Sequence, residues 1–301
     1  MLSDEKQVEY FKDMILPYEK KGKRKYSIIQ YVRGAGNELT EKFWQDHSSS
    51  RMAYDLYSWM RDKEHTEIRD FEFEKQLEPL QSGGIGPNMD VFIETKDEII
   101  FVESKFTEKA NLNYLNKDKK GETYLSPAYC AKTHGKKEMS LSERFYGYAY
   151  AERFASFCEE WEKEMQAHPS WRKRGRVDWF EPKQETCHLC GILFYLEKNR
   201  KLIKGKSIRL FNIYWEIKGD EKSEMERAFI QKAQSFIDEV IKMEDFGIKN
   251  FIINAFSVQE MLKENSLLSP HIHFPEGKEK EMIERNTRIV GDKKRGSFSS
   301  M

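Results

Sequence analysis

Residues 88–106, NMDVFIETKDEIIFVESKF, hold two apolar, β-rich runs divided by a short polar break. Runs of that length and composition, with so little between them, read as a β-hairpin. Taking Lys96–Asp97 as the turn closes Thr95 against Glu98. That register puts Asp90 directly opposite Glu103. Opposed residues on paired strands point to one face, with Cβ atoms about 4.5–5.5 Å apart. Because side chains alternate along a strand, Lys105 shares the face of Glu103 and Ser104 looks the other way. Val91, Ile93, Ile100 and Val102 are apolar, which places the hairpin inside a sheet and not at its rim.

Other elements fall around this hairpin. Residues 3–16 and the NELTEKFW stretch from Asn37 read as helices, and so do residues 48–60, where serines are available as N-caps. FEFEKQL (71–77) has a period near two and reads as a strand. Residues 83–86 are loop, and 107–138 are polar with Gly and Pro. The stretch 140–165 repeats its apolar residues at three- and four-residue steps, the mark of a long helix. Residues 181–198 fit a helix, with Pro182 at its first position, although Gly191 counts against it. Residues 207–217 and 248–256 are buried strands flanking an amphipathic helix over 221–243, and VQEMLKEN is a short helix. Strands interleaved with helices predict an α/β chain with one central mixed β-sheet covered by helices on both faces. Residues 1–276 form a single domain in this reading, and 277–301 a charged, mobile tail.

The chain has 301 residues, 34% of them charged, with zero formal net charge. Global charge therefore gives no sign of a nucleic-acid partner, and any such contact must come from local patches. KKGKRK (20–25), with Lys23 and Arg24, and WRKRGR (171–176), with Arg172 and Arg174, are those patches. Both are ordinarily solvated; on the right side of the sheet they would meet phosphates. Trp171 would then stack on an unpaired base, or simply cap the core. No apolar run is long enough to span a membrane, the N-terminus lacks a signal-peptide pattern, and four cysteines make no disulfide framework. The expectation is a cytoplasmic chain without a membrane partner.

Two carboxylates brought together in a half-buried place repel, so one binds a proton or a cation sits between them. Oxygen ligands suit Mg²⁺ or Mn²⁺, and Mg²⁺ commonly uses one or two protein carboxylates and keeps its other positions for water and phosphate oxygens. Asp90, followed on the next strand by Glu103-Ser104-Lys105, resembles the signature of the PD-(D/E)xK nuclease superfamily. That resemblance implies a restriction-endonuclease-like fold and a hydrolase, a metal-dependent nuclease or endonuclease acting on DNA or sometimes RNA. It implies that Asp90, Glu103 and the Ser104 carbonyl hold Mg²⁺ or Mn²⁺ and that Lys105 assists water attack. The residue before Asp90 is Met89, and the nearest proline is Pro87, which is not a ligand. The family also implies an auxiliary acid, with Glu38 the first choice and Glu74 the second. It implies a Gln with a polar partner four residues on, which Gln184 and His188 match.

Bland readings stand beside these. Asp90, Glu103 and Lys105 could form an ion-pair ladder on an exposed sheet face, or the fold could serve as an inactive nucleic-acid- or protein-binding module. Cys187-His188-Leu189-Cys190 lacks a well-spaced second pair for zinc, since His271 and His273 are poorly placed, and reads as small buried cysteines on an apolar element. GGIGP (83–87) lacks the lysine of a phosphate loop and precedes a strand; it reads as a turn.

Overall fold

Alternating apolar residues in the hairpin set the centre of the molecule. A computed structural model describes residues 48–61, 67–77, 87–106, 148–172, 180, 182–216, 223–275, 277, 280 and 282–288. Within them, strands β1 (Ile68–Gln76), β2 (Asn88–Thr95), β3 (Glu98–Lys105), β4 (Ser207–Tyr214) and β5 (Asn250–Ser257) form one five-stranded sheet in sequence order. β1, β2 and β3 are antiparallel, and β4 and β5 continue parallel to β3, so the sheet is mixed. The register read from the hairpin is the one found: Val91 faces Val102 and Ile93 faces Ile100. Thr95 fastens the turn by accepting the N–H groups of Asp97 (3.2 Å) and Glu98 (3.0 Å) on Oγ1.

Helices cover both faces. On one side lie α1 (Ser49–Tyr57) and, towards the C-terminus, α6 (Val258–Lys263). They bury Phe71, Phe73, Val91, Ile93, Ile100, Val102, Phe211 and Ile213. On the other lie α2 (Ala151–Ala167), α3 (Pro182–Lys198) and α5 (Glu224–Met243), with the single turn α4 (Arg200–Ile203) after α3. They bury Phe92, Ile99, Phe101, Ile208, Leu210 and Phe251. A crossover through α5 is what lets β4 and β5 run parallel. The caps agree with the sequence: Ser48 accepts the Arg51 N–H at α1, Ser223 accepts the Glu226 N–H at α5, and Ser257 with Glu260 forms a capping box at α6.

α3 is helical despite Gly191, and the glycine is what seats it. A Cβ at Gly191 would lie 2.8 Å from the Leu77 Cβ and 2.9 Å from the Pro87 Cγ. Only a residue without a side chain lets the helix settle this close to the ends of β1 and β2.

Two expectations change. Of the helix expected over 140–165, residues 140–147 lie outside the described residues and the described helix runs Ala151–Ala167; residues 148–150 are a turn in which Tyr148 and Tyr150 stack and Glu244 accepts the Ala149 N–H. Within the segment read as a mobile tail, residues 282–288 are helical. Met282 is buried in the α1 layer, and Arg285 pairs with Asp55 of α1. Charge made that segment look solvated; one apolar anchor and one ion pair are enough to dock it. The helices expected at 3–16 and from Asn37 lie outside the described residues. No helix among the described residues is long and apolar enough to cross a membrane.

Candidate active site

The acids of the hairpin divide into two groups. At the turn end, Glu94 receives Lys206 Nζ at 2.9 Å, and Glu98 receives Arg209 and the Ser269 hydroxyl. These charges are compensated within the fold. At the open end the balance differs, because several carboxylates gather around few cations.

Strand alternation breaks there. Phe73 and Val91 pack in the α1 layer, whereas Met89 and Leu77, two and four residues away, pack in the α3 layer. Glu74 marks the break with φ +48°, a left-handed value that costs a non-glycine residue about 1–2 kcal/mol. It lies opposite Asp90, between the pairs Phe73–Val91 and Lys75–Met89. The Ser50 hydroxyl of α1 donates to Glu74 Oε1 at 3.5 Å. Strain of this kind persists only where the surroundings hold it, and it gathers at functional sites.

Asp90 stands one step beyond the last paired residues of the β2–β3 ladder, Val91 and Val102. Its Oδ2 accepts the Ser104 N–H at 2.6 Å, replacing a main-chain acceptor. Burial, then the charges of Glu103 and Glu74, hold the Asp90 carboxyl well above its ordinary range; Lys105 and the Ser104 N–H pull the other way and lose. Tyr57 of α1 is fully buried, and burial followed by the Asp90 charge holds its phenol well above its usual value.

Glu103 is buried and gripped from three sides. Lys105 Nζ lies 2.7 Å from its Oε1, Gln184 Nε2 donates to the same oxygen at 2.7 Å, and Lys105 also donates to Gln184 Oε1 at 2.7 Å. The three side chains close a ring. His188, one turn further along α3, is buried with Nε2 3.7 Å from Glu103 Oε2 and Nδ1 3.9 Å from Glu185 Oε2. Burial would lower the His188 value, but Glu103 and then Glu185 outweigh it and raise it above the ordinary imidazole range. Glu103 Oε2, Glu185 Oε2 and His188 Nδ1 are all buried without a hydrogen-bond partner among the described residues.

Of the residues expected at the site, Asp90, Glu103, Ser104, Lys105, Gln184, His188 and Glu74 come together. Glu38, Lys23, Arg24 and Arg174 lie outside the described residues, as does the side chain of Arg172. Trp171 is buried, its ring stacked between His168 at 4.3 Å and Trp161 at 6.0 Å, so it caps the core. The lysines around 198–206 sit at the end of the sheet far from Lys105, beside Ser207, where β4 begins next to Glu98. Fourteen helical residues separate Gln184 from Lys198, about 21 Å. Lys206 is itself buried in the Glu94 pair. Cys187 and Cys190 lie on α3, while His188 turns to the carboxylates of Glu103 and Glu185. Sequence reasoning passed over Glu185. Its signal was present: it lies three residues before His188, so the two share a helix face.

Among the described residues, Glu74, Asp90, Glu103 and Glu185 bring four carboxyl groups towards one ammonium and one imidazole, oxygen donors of the kind a small dication takes, and Glu103 keeps a buried oxygen without a partner. Among the described residues, no group of three or more His, Cys, Asp and Glu is arranged to hold a metal by side chains alone. A site built from Asp90, Glu103 and a main-chain carbonyl has only two such side chains. The chain matches no protein-family model, no curated protein and no solved structure.

Proposed function

We propose that this chain is a divalent-metal-dependent phosphodiesterase that hydrolyses nucleic acid, DNA in the first instance, on a restriction-endonuclease-like fold. One observation carries the reading: a hairpin end holds Asp90 at the Ser104 N–H, Glu103 beside it, and Lys105 on Glu103. Such an end joins two carboxylates, a main-chain carbonyl and an amine in one half-buried place. Asp90, Glu103 and the Ser104 carbonyl would hold Mg²⁺ or Mn²⁺, which polarises a phosphoryl oxygen and lowers the pKa of bound water.

The chain's own residues do the rest. Asp90 is oriented by the Ser104 N–H, and its ionised form would be the one that holds a cation in place of the proton. Gln184 fixes both the Glu103 carboxylate and the Lys105 ammonium, so neither has to reorganise when phosphate arrives. Lys105 then holds a water hydrogen-bonded for in-line attack, or offsets charge growing on the phosphate. α3 and α1 flank the site on the two faces of the sheet, and the partial burial they give lowers the local dielectric and strengthens these interactions.

The test is direct. Purified chain is incubated with supercoiled, linear, single-stranded and branched DNA and with RNA, in Mg²⁺, Mn²⁺ or EDTA. Metal-dependent cleavage that Asp90→Ala and Glu103→Ala abolish is the expected result. Binding without cleavage of any form would assign the fold to an inactive binding module instead.

A further inference from the structure

We infer that Asn212 is a further positioning residue of the ion site, an inference that rests on the metal-dependent reading above. β4 places Asn212 in register with Glu103 on the neighbouring parallel strand. Paired residues of adjacent strands share a face and lie about 5 Å apart. The face is fixed independently: Phe211 and Ile213 pack in the α1 layer, and Leu210 and Tyr214 in the α3 layer, so Asn212 belongs with the latter. Its side chain therefore stands under the first turns of α3, in the company of Glu103 and His188.

Asn212 is an anomaly in its strand. LFNIY is apolar around it, and Asn is disfavoured in strands. The residue is 1% exposed, yet its Oδ1 has no hydrogen-bond partner among the described residues. Leaving a buried acceptor unpaired opposes folding, and an apolar residue of the same shape avoids that cost. Asn88 Oδ1 and Asn286 Nδ2 are buried without a partner too; what sets Asn212 apart is its register beside Glu103. This one has its orphaned oxygen on the same patch as the orphaned Glu103 Oε2, and both are acceptors. Two acceptors cannot satisfy each other; a donor between them can. Water bound to a divalent ion is such a donor, because the ion leaves both of its protons outward. Asn212 accordingly accepts a hydrogen bond from a water on the ion held by Asp90 and Glu103, and so fixes that water's orientation. Partners of this outer kind change metal affinity by about 10–100-fold when removed.

The experiment compares the full chain with Asn212→Leu and Asn212→Asp, reading Mn²⁺ binding by electron paramagnetic resonance titration and stability by urea unfolding. The leucine variant is expected to be at least as stable as the parent and to bind Mn²⁺ about tenfold or more weakly. The aspartate variant keeps an oxygen at the position and recovers most of the affinity, a rescue that a merely structural role would not produce. Mn²⁺ affinity within about twofold of the parent in Asn212→Leu overturns the inference while leaving the metal site standing. Should that variant not fold, Asn212→Ala is judged against the same limits. A parent chain that takes up no Mn²⁺ removes the ion-site reading and this inference together.

Discussion

Gly191→Ala sets two effects of opposite sign against each other. In an exposed mid-helix position, alanine stabilises over glycine by about 0.8–1 kcal/mol. At Gly191 the new Cβ would sit 2.8 Å from the Leu77 Cβ, 2.9 Å from the Pro87 Cγ and 3.1 Å from the Leu77 Cδ1. Carbon pairs rest at about 3.5–4.0 Å, so relief requires a displacement of roughly 0.6–1 Å. Neither main obstacle can swing aside, since one is a Cβ and the other a proline ring. Overpacking of this kind costs about 1–3 kcal/mol. The clash therefore wins, and the variant is destabilised by up to about 2 kcal/mol net. The displaced element is α3, which carries Gln184 and His188. Its contacts to Glu103 at 2.7 and 3.7 Å should lengthen, and Mn²⁺ affinity should fall several-fold. Urea unfolding and a Mn²⁺ titration on the same preparations read both effects. An alanine variant about 1 kcal/mol more stable than the parent, with unchanged Mn²⁺ affinity, would refute the claim that Gly191 seats the helix.

The remaining predictions concern the charges. Because Asp90 is held above its ordinary value of about 3.9, the folded chain keeps a proton that the unfolded chain has released. Ion-free stability should therefore fall as pH rises from about 4 through the folded-state value, and Asp90→Asn should flatten that slope and stabilise the ion-free protein at neutral pH. Asp90→Asn should also lose Mn²⁺ binding and cleavage, so that stability and function move in opposite directions. Mn²⁺ binding should release a proton, seen calorimetrically as a binding enthalpy that varies with the ionisation enthalpy of the buffer. Lys105→Met strips the ammonium from Glu103 and Gln184 and should cost about 3 kcal/mol in the ion-free protein, measured by urea unfolding. Lys206→Met leaves Glu94 buried and unpaired and should cost about 3–5 kcal/mol, yet Mn²⁺ affinity should hold, because that pair lies at the opposite end of the hairpin.

The sequence alone determined the hairpin and what it carries. Period-two alternation and a two-residue break allow one register, and that register brings Asp90 towards Glu103 with Lys105 beside it. The amphipathic and buried runs that became α5, β4 and β5 were legible for the same reason: the periodicity is local. Tertiary structure alone decided what surrounds those residues. Gly191 argued against a helix until Leu77 and Pro87, more than a hundred residues earlier, were seen to need the space. Glu74 became part of the site through a left-handed backbone turn that no pattern announces, and Asn212 through its register beside Glu103 on a strand far along the chain. Helix length carries the lysines near 200 to the end of the sheet far from Lys105, a placement no local pattern announces. Pairing within a hairpin is set by neighbours in sequence, whereas the seating of a helix on a sheet is set by shapes that meet only once the chain has folded.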